Sequence, residues 1–380
     1  MDPKKDLSRR CIAPTAWPAP DRCAWTACLT AGDPLEPGGA GASWAPHTKT
    51  KIAKGYGRWL TWLDTKGLLD PEAAPGNRCN RARVARYLDD LTRVNAAYTV
   101  VARAQELYLA LQAMAPDQDW CWIRSIERRL RRTARSVRNK RAHIEPSGRL
   151  FTLGLELMQR AEGPAGGTAL QRAVAYRDAL MISLLAARPF RRRNFCSIEI
   201  GRHLVCEREV YWLRFAADET KAREPIEVPF PEELAASLER YLTWHRPVLA
   251  ERRGRWNMGT TSPGWRTNAL WVSEDGSTMT EIAMYFRIRK LTQARFGHVI
   301  SPHLFRDSAA TSIAIEDPHH VHITRSILGH TTLRTSERHY NQARSLEALR
   351  RYQQRILELR RQARVANDRA IDAGFGSQGA

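Results

Sequence analysis

The chain has 380 residues, with 60 Lys and Arg against 40 Asp and Glu, a formal charge of +20 and a pI near 10.2. The length predicts two domains with tails, and the charge favours a polyanionic partner, nucleic acid ahead of an anionic membrane surface, over an acidic small molecule. No apolar run approaches the roughly 20 residues that span a bilayer, and the charged start Met1 to Arg10 has no apolar segment behind it; the expectation is a cytoplasmic protein, bacterial and nucleoid-associated, without a membrane partner.

Residues 1 to 43 are rich in Pro, Gly and Ala, end in Gly38-Gly39-Ala40-Gly41 and lack sustained periodicity, which predicts a flexible N-terminal arm. The seven cysteines are odd in number and contain no CxxC pair, so they read as reduced thiols; Cys11, Cys23 and Cys28 lack an evident fourth zinc ligand. From Thr48 the positions Ile52, Tyr56, Trp59, Leu60 and Leu63 recur at helical spacing despite Gly55 and Gly57, and Gly67 closes the run. The spacing returns at Val84, Leu88 and Leu91, then from Val100 to Met114, and again from Trp120 through Ile123, Ile126 and Leu130. Residues 44–143 therefore read as a small helical domain.

The last of these helices carries Arg124, Arg128, Arg129, Arg131, Arg132, Arg135, Arg138, Lys140 and Arg141, opposed only by Glu127. A charge run is ordinarily a solvated face. Here like charges at i,i+4 repel, and a phosphate backbone alongside would relieve them, so Arg124, Arg128, Arg131, Arg132, Arg135 and Arg138 are expected to face DNA.

Composition shifts around Glu145 to Gly148, where a second domain, residues 144–345, begins. A helix is expected from Thr168 to Ala187, ending before Pro189. Between His203 and Phe230 the period becomes strand-like, with runs at Leu204-Val205, Val210 to Phe215 and Ile226 to Val228 separated by polar turns, which predicts a three-stranded antiparallel insert. Helices resume at Pro231 to Trp244, Met279 to Phe296 and from Pro302 onward. The fold class is mainly α with a small antiparallel β insert (α+β).

Ser301-Pro302 has the form of a helix start, which puts His303 and Arg306 on one face of a first turn, where helix dipole and free N–H groups favour an anion. Taken alone, such a pair is a surface feature. Further on, Leu328-Gly329 closes a short helix and delivers His330, and Tyr340 follows ten positions later. The ordered set His303-Leu304-Phe305-Arg306, Leu328-Gly329-His330 and Tyr340 resembles the tyrosine recombinase, or phage integrase, family. Three boxes in order are more specific than any one of them.

The resemblance covers residues 44 to 345 and extends to Arg191, with apolar Phe195 and Ile198 four and seven positions later, which is similar to the family's first arginine box. The family usually has an acid three residues after that arginine; this chain has Asn194. The family's lysine lies in the turn between its second and third strands, where this chain has Lys221. The resemblance implies a two-domain C-shaped DNA clamp, a SAM-like core-binding domain followed by the catalytic domain. It also implies cleavage and rejoining of DNA through a 3′-phosphotyrosyl link to Tyr340, with Arg191 and Arg306 as phosphate clamp, His303 as base, Lys221 as acid and His330 on a phosphate oxygen.

These roles fit the chemistry. Arginine supplies permanent charge and paired donors for a phosphate whose charge spreads in the transition state, and a phenol with a pKa near 10 needs a base and a stabilising field. No cofactor or metal is expected. The spacing between His330 and Tyr340 is one residue longer than is common in the family, with His339 in the usual place of the tyrosine. Residues 346–380, with Leu346, Leu349, Ile356 and Leu359 among basic residues, form an expected C-terminal helix and tail for protomer contact, or for packing on the same chain. Expected partners are double-stranded DNA, further copies of the chain from dimer to tetramer, and accessory DNA-binding or partner recombinase proteins. A mobile element or phage is the implied setting. A type IB topoisomerase-like enzyme and a non-cleaving regulator derived from a recombinase are the alternatives; relaxation of plasmids without a paired site marks the first, and absence of a covalent adduct the second.

Overall fold

A computed structural model describes residues 10–33, 35–137, 143–164, 167–252 and 267–316. The chain divides into two compact units, Met1–Asn139 and Lys140–Ala380. The described part of the first unit is helical: α1 (Ala19–Leu29), α2 (Pro46–Thr65), α3 (Arg81–Val94), α4 (Ala97–Met114) and α5 (Cys121–Thr133). Helix α2 buries Ile52, Tyr56, Trp59, Leu60 and Leu63, the positions its periodicity marks. Its two glycines are close-approach sites: a Cβ at Gly55 would collide with Glu106 of α4, and one at Gly57 with the carbonyl of Ile12.

The expected flexible arm over residues 1–43 is corrected across its described part. Trp17 is 1% exposed, and Trp25 and Cys28 join it in the core of the first unit. Asp21 of α1 is fully buried, accepts the Tyr56 hydroxyl at 2.5 Å and is ion-paired with Arg78. Even the glycine-rich stretch is tied back, Gly39 N–H to the Thr30 carbonyl at 2.9 Å and Gly41 N–H to that of Cys28 at 2.8 Å. The prolines that suggest a coil sit where helices tolerate them, Pro20 in the first turn of α1 and Pro46 at the start of α2.

Helix α5 ends at Thr133, so the basic run does not continue as one helix to residue 141. Arg135 lies beyond its C-terminus, and Arg138, Lys140 and Arg141 lie outside the described residues. Ile123 is fully buried, Ile126 and Leu130 pack partly against the core, and Glu127 is paired with Arg131 at 2.6 Å.

The second unit contains α6 (Ser147–Glu162), α7 (Ala169–Ala187), α8 (Arg192–Cys196), β1 (Leu204–Glu207), β2 (Val210–Phe215), β3 (Ile226–Pro229), α9 (Ala235–Arg240), α10 (Arg246–Ala250), α11 (Glu281–Phe296) and α12 (Pro302–Glu316). Helix α7 is its central element, buried along most of its length. A capping box starts it: Thr168 Oγ1 accepts from Gln171 N–H at 3.3 Å, and Gln171 Oε1 accepts from Thr168 N–H at 2.9 Å. Gly154 lets α6 press against α7 at Ser183, whose hydroxyl donates to the Phe151 carbonyl at 2.9 Å. The strands form one antiparallel sheet in the order β1-β2-β3, with Leu204 opposite Leu213 and Phe215 opposite Ile226, as their alternation predicts.

The helix expected from Pro231 to Trp244 is interrupted. After a short 3-10 turn comes α9, then a widened π turn over Tyr241–His245 that leads into α10. Pro247 explains it, since its ring lacks an N–H and would clash with the carbonyl four residues back in a regular helix. Among the described residues no helix is long and apolar enough to cross a membrane.

Candidate active site

Helix α7 stops at Ala187 because Pro189 cannot extend it, and the chain turns through Phe190 and Arg191 into α8. Phe195 and Ile198 are both fully buried, and Trp271 Nε1 donates to the Phe195 carbonyl at 2.8 Å, so α8 and the residues just after it are locked to the core. In this arrangement Arg191 lines a cleft of about 350 Å³, whereas Arg192 turns away to Glu281 at 2.8 Å and Arg193 is exposed. Arg188 also reaches the cleft, its Nε donating to the Pro229 carbonyl at 3.2 Å.

Arg306 comes to the same cleft from the second turn of α12. It is 7% exposed, and its Nη1 donates to the Pro189 carbonyl at 2.5 Å. Burial, reinforced by the charge of Arg191 and opposed by Asp307, pulls its pKa down to about 10. Arg306 is therefore charged at neutral pH in a place that disfavours charge, beside a second guanidinium. An anion in the cleft would relieve both strains.

The sheet supplies the third wall, through Thr220, Ala222, Glu224, Ile226 and Val228. Lys221 stands exposed between two of these lining residues, in the turn from β2 to β3. Thr220 Oγ1 donates to the Glu224 carbonyl at 2.7 Å and accepts the Glu224 N–H at 3.1 Å, which pinches Lys221, Ala222 and Arg223 into a closed loop with Arg223 at φ 55°. Asn194, 5% exposed and also lining the cleft, donates through Nδ2 to the Glu219 carbonyl at 3.2 Å. An acid at this position could not make that bond.

The carboxylate of Glu219 is bonded in turn by His203 and Arg202 and by the Ala216 amide. Partial burial pushes Glu219 up, but the His203 hydrogen bond, the Ala216 amide and the Arg202 charge outweigh it and hold the group below the usual carboxylate range. Sequence patterning assigns neither His203 nor Glu219 a place in the site; the one legible signal is that Glu219 lies two residues before Lys221.

His303 lies on α12 three residues before Arg306 and is exposed. His330 and Tyr340 lie outside the described residues, as do Leu346, Leu349, Ile356 and Leu359 of the C-terminal stripe. In the first unit Arg124, Arg128, Arg131 and Arg132 are carried by α5; Arg124 stacks over Tyr108 at 5.8 Å and Arg131 is engaged by Glu127.

The family model described as the phage integrase family matches residues 157–347, just over half of the 380 residues. The chain belongs to this family. As a phage integrase family member it is a tyrosine-type site-specific recombinase. Its fold is similar to that of the XerH site-specific recombinase solved with a palindromic difH substrate as a post-cleavage complex, with a TM-score of 0.52 and 14% identity over 79% of this chain and 78% of that one. The pre-cleavage complex of XerH with difH matches with a TM-score of 0.49 and 16% identity over 77% of this chain and 76% of that one. No curated protein matches the sequence.

Proposed function

We propose that this family member recombines DNA at defined sites, for a mobile element or phage, by cutting and resealing strands through a 3′-phosphotyrosyl link to Tyr340. The observation that carries the reading is the convergence of Arg191 and Arg306, 115 positions apart in the chain, on one cleft whose rim holds the Lys221 turn.

In this reading the scissile phosphate sits between the two guanidinium groups. The Tyr340 oxygen attacks phosphorus and gives its proton to His303; the bond from phosphorus to the 5′ oxygen breaks, and that oxygen takes a proton from the Lys221 ammonium. His330 hydrogen-bonds a non-bridging oxygen. The phosphotyrosyl ester retains the energy of the broken bond, so a 5′ hydroxyl reverses the step without ATP. The first unit is read as the core-binding domain, with α5 and Arg135 against the DNA backbone, and the residues after 345 as a contact between protomers. DNA binding is supported by family membership and by the similarity of the fold to that of XerH bound to its difH substrate.

The test is a denaturing gel of the protein with a nicked suicide substrate. A covalent adduct is expected with the wild type and none with Tyr340→Phe, which still binds DNA. An adduct that persists in Tyr340→Phe and vanishes on replacing Tyr352, the next tyrosine along the chain, by Phe would move the nucleophile.

A further inference from the structure

A lysine head on a four-carbon stem protonates one particular oxygen efficiently only if its backbone is held in place. Such a hold lies two residues before Lys221. The carboxylate of Glu219 receives the His203 ring at 3.0 Å, Arg202 Nη2 at 2.6 Å and the Ala216 N–H at 2.9 Å. His203 is 3% exposed, and its Nδ1 accepts from the Glu199 backbone N–H at 3.1 Å. The ring proton is therefore on Nε2, directed at Glu219. On its backbone side, the Glu219 carbonyl accepts from Asn194, three residues after Arg191. Residue 219 is thus gripped through its side chain by the segment leading into β1 and through its backbone by the helix that starts beside Arg191.

We propose that Glu219, held by His203 and Asn194, is a positioning residue that keeps Lys221 in register with the arginine side of the cleft. This rests on the reading of Lys221 as the acid. The Thr220 to Glu224 pinch makes the turn a closed loop, so its placement is decided at its base, where Glu219 stands. Asn194 completes the device: an amide bonds a carbonyl that the acid usual in the family would repel.

The two contributions separate on a suicide substrate whose scissile 5′ oxygen is replaced by sulfur. With oxygen, the leaving group needs the Lys221 proton. With sulfur, the bond from phosphorus to sulfur breaks and the thiolate departs with the electron pair, unprotonated, because a thiol is far more acidic than an alcohol. Glu219→Ala is expected to slow cleavage of the oxygen substrate by about 10²-fold, within the range general acid catalysis supplies, and to recover to within a few-fold of wild type on the sulfur substrate. Lys221→Ala should behave alike. Asn194→Asp, nearly isosteric, should show the same pattern and carries the test if Glu219→Ala does not fold. Equal slowing on both substrates, or no slowing on either, overturns the positioning role. A Lys221→Ala variant that fails to recover on sulfur removes the acid reading itself, and the inference with it, whatever the other variants do.

Discussion

Arg306 offers a test in which activity and stability separate. Its pKa lies well below that of an ordinary guanidinium because the group is buried and faces Arg191. At pH 7 the side chain is charged in both folded and unfolded states, so the folded state bears the full cost of that displacement, about 3 kcal/mol at 1.36 kcal/mol per pK unit. The sign follows from linkage: where the folded chain releases the proton first, the unfolded state binds more protons, and stability rises with pH only above about 10. At neutral pH the burial of Arg306 and the charge of Arg191 beside it cost stability. Arg306→Met keeps much of the volume and removes the charge, but leaves the Pro189 carbonyl without its 2.5 Å donor, a loss of about 1 to 3 kcal/mol. The two effects nearly cancel, so thermal or urea unfolding should show a change within about 2 kcal/mol, in either direction. Cleavage should fall by about 10³ to 10⁵, the worth of a well-placed arginine in phosphoryl transfer. Single-turnover cleavage at saturating DNA, measured beside a urea melt of the same preparation, separates the two. A variant that loses several kcal/mol of stability, with activity falling only as far as its folded fraction, would refute the argument.

The register of the arginine box predicts that Arg191→Ala lowers cleavage by orders of magnitude, while Arg192→Ala and Arg193→Ala act mainly on binding or stability; an essential Arg193 with a dispensable Arg191 in the same assay would shift the box by two positions. Replacing Arg128, Arg131, Arg132 and Arg135 by Gln should weaken binding to all sequences and flatten the dependence of log K on log salt by up to about 3 to 4. The lower figure is favoured because Arg131 is already engaged by Glu127; an unchanged slope returns α5 to a solvated charged face. Trp17→Ala should destabilise the first unit by about 3 to 5 kcal/mol in a denaturant titration, since Trp17 is 1% exposed in its core, and a change under about 0.5 kcal/mol would mean that the segment is an arm after all.

Most helix positions and the antiparallel insert were legible in the linear sequence because they rest on local periodicity: Ile52, Tyr56, Trp59, Leu60 and Leu63 mark the buried face of α2, and the polar turns bound β2 and β3. Composition misled where long-range contacts overrode it. The segment from residue 10 to 33 carries no strong period, yet Trp17 and Asp21 find their partners in α2 and at Arg78, up to 57 positions away, and Trp25 packs against Trp17 and Trp44. Glycine in α2 weakens a helix by local propensity, and only the approach of Glu106 and Ile12 explains its presence.

The motifs by themselves determined which residue types the chemistry draws on, since charge, nucleophile and proton carriers are properties of single side chains. Which of them meet was a matter of tertiary structure alone. The cleft joins Arg191, after α7, to Arg306, on α12, because Pro189 ends one helix and lends its carbonyl to the arginine of the other. The grip of Asn194 and His203 on Glu219 is of the same kind, as it links residues 25 and 16 positions apart through a backbone carbonyl and a carboxylate that no local pattern singles out.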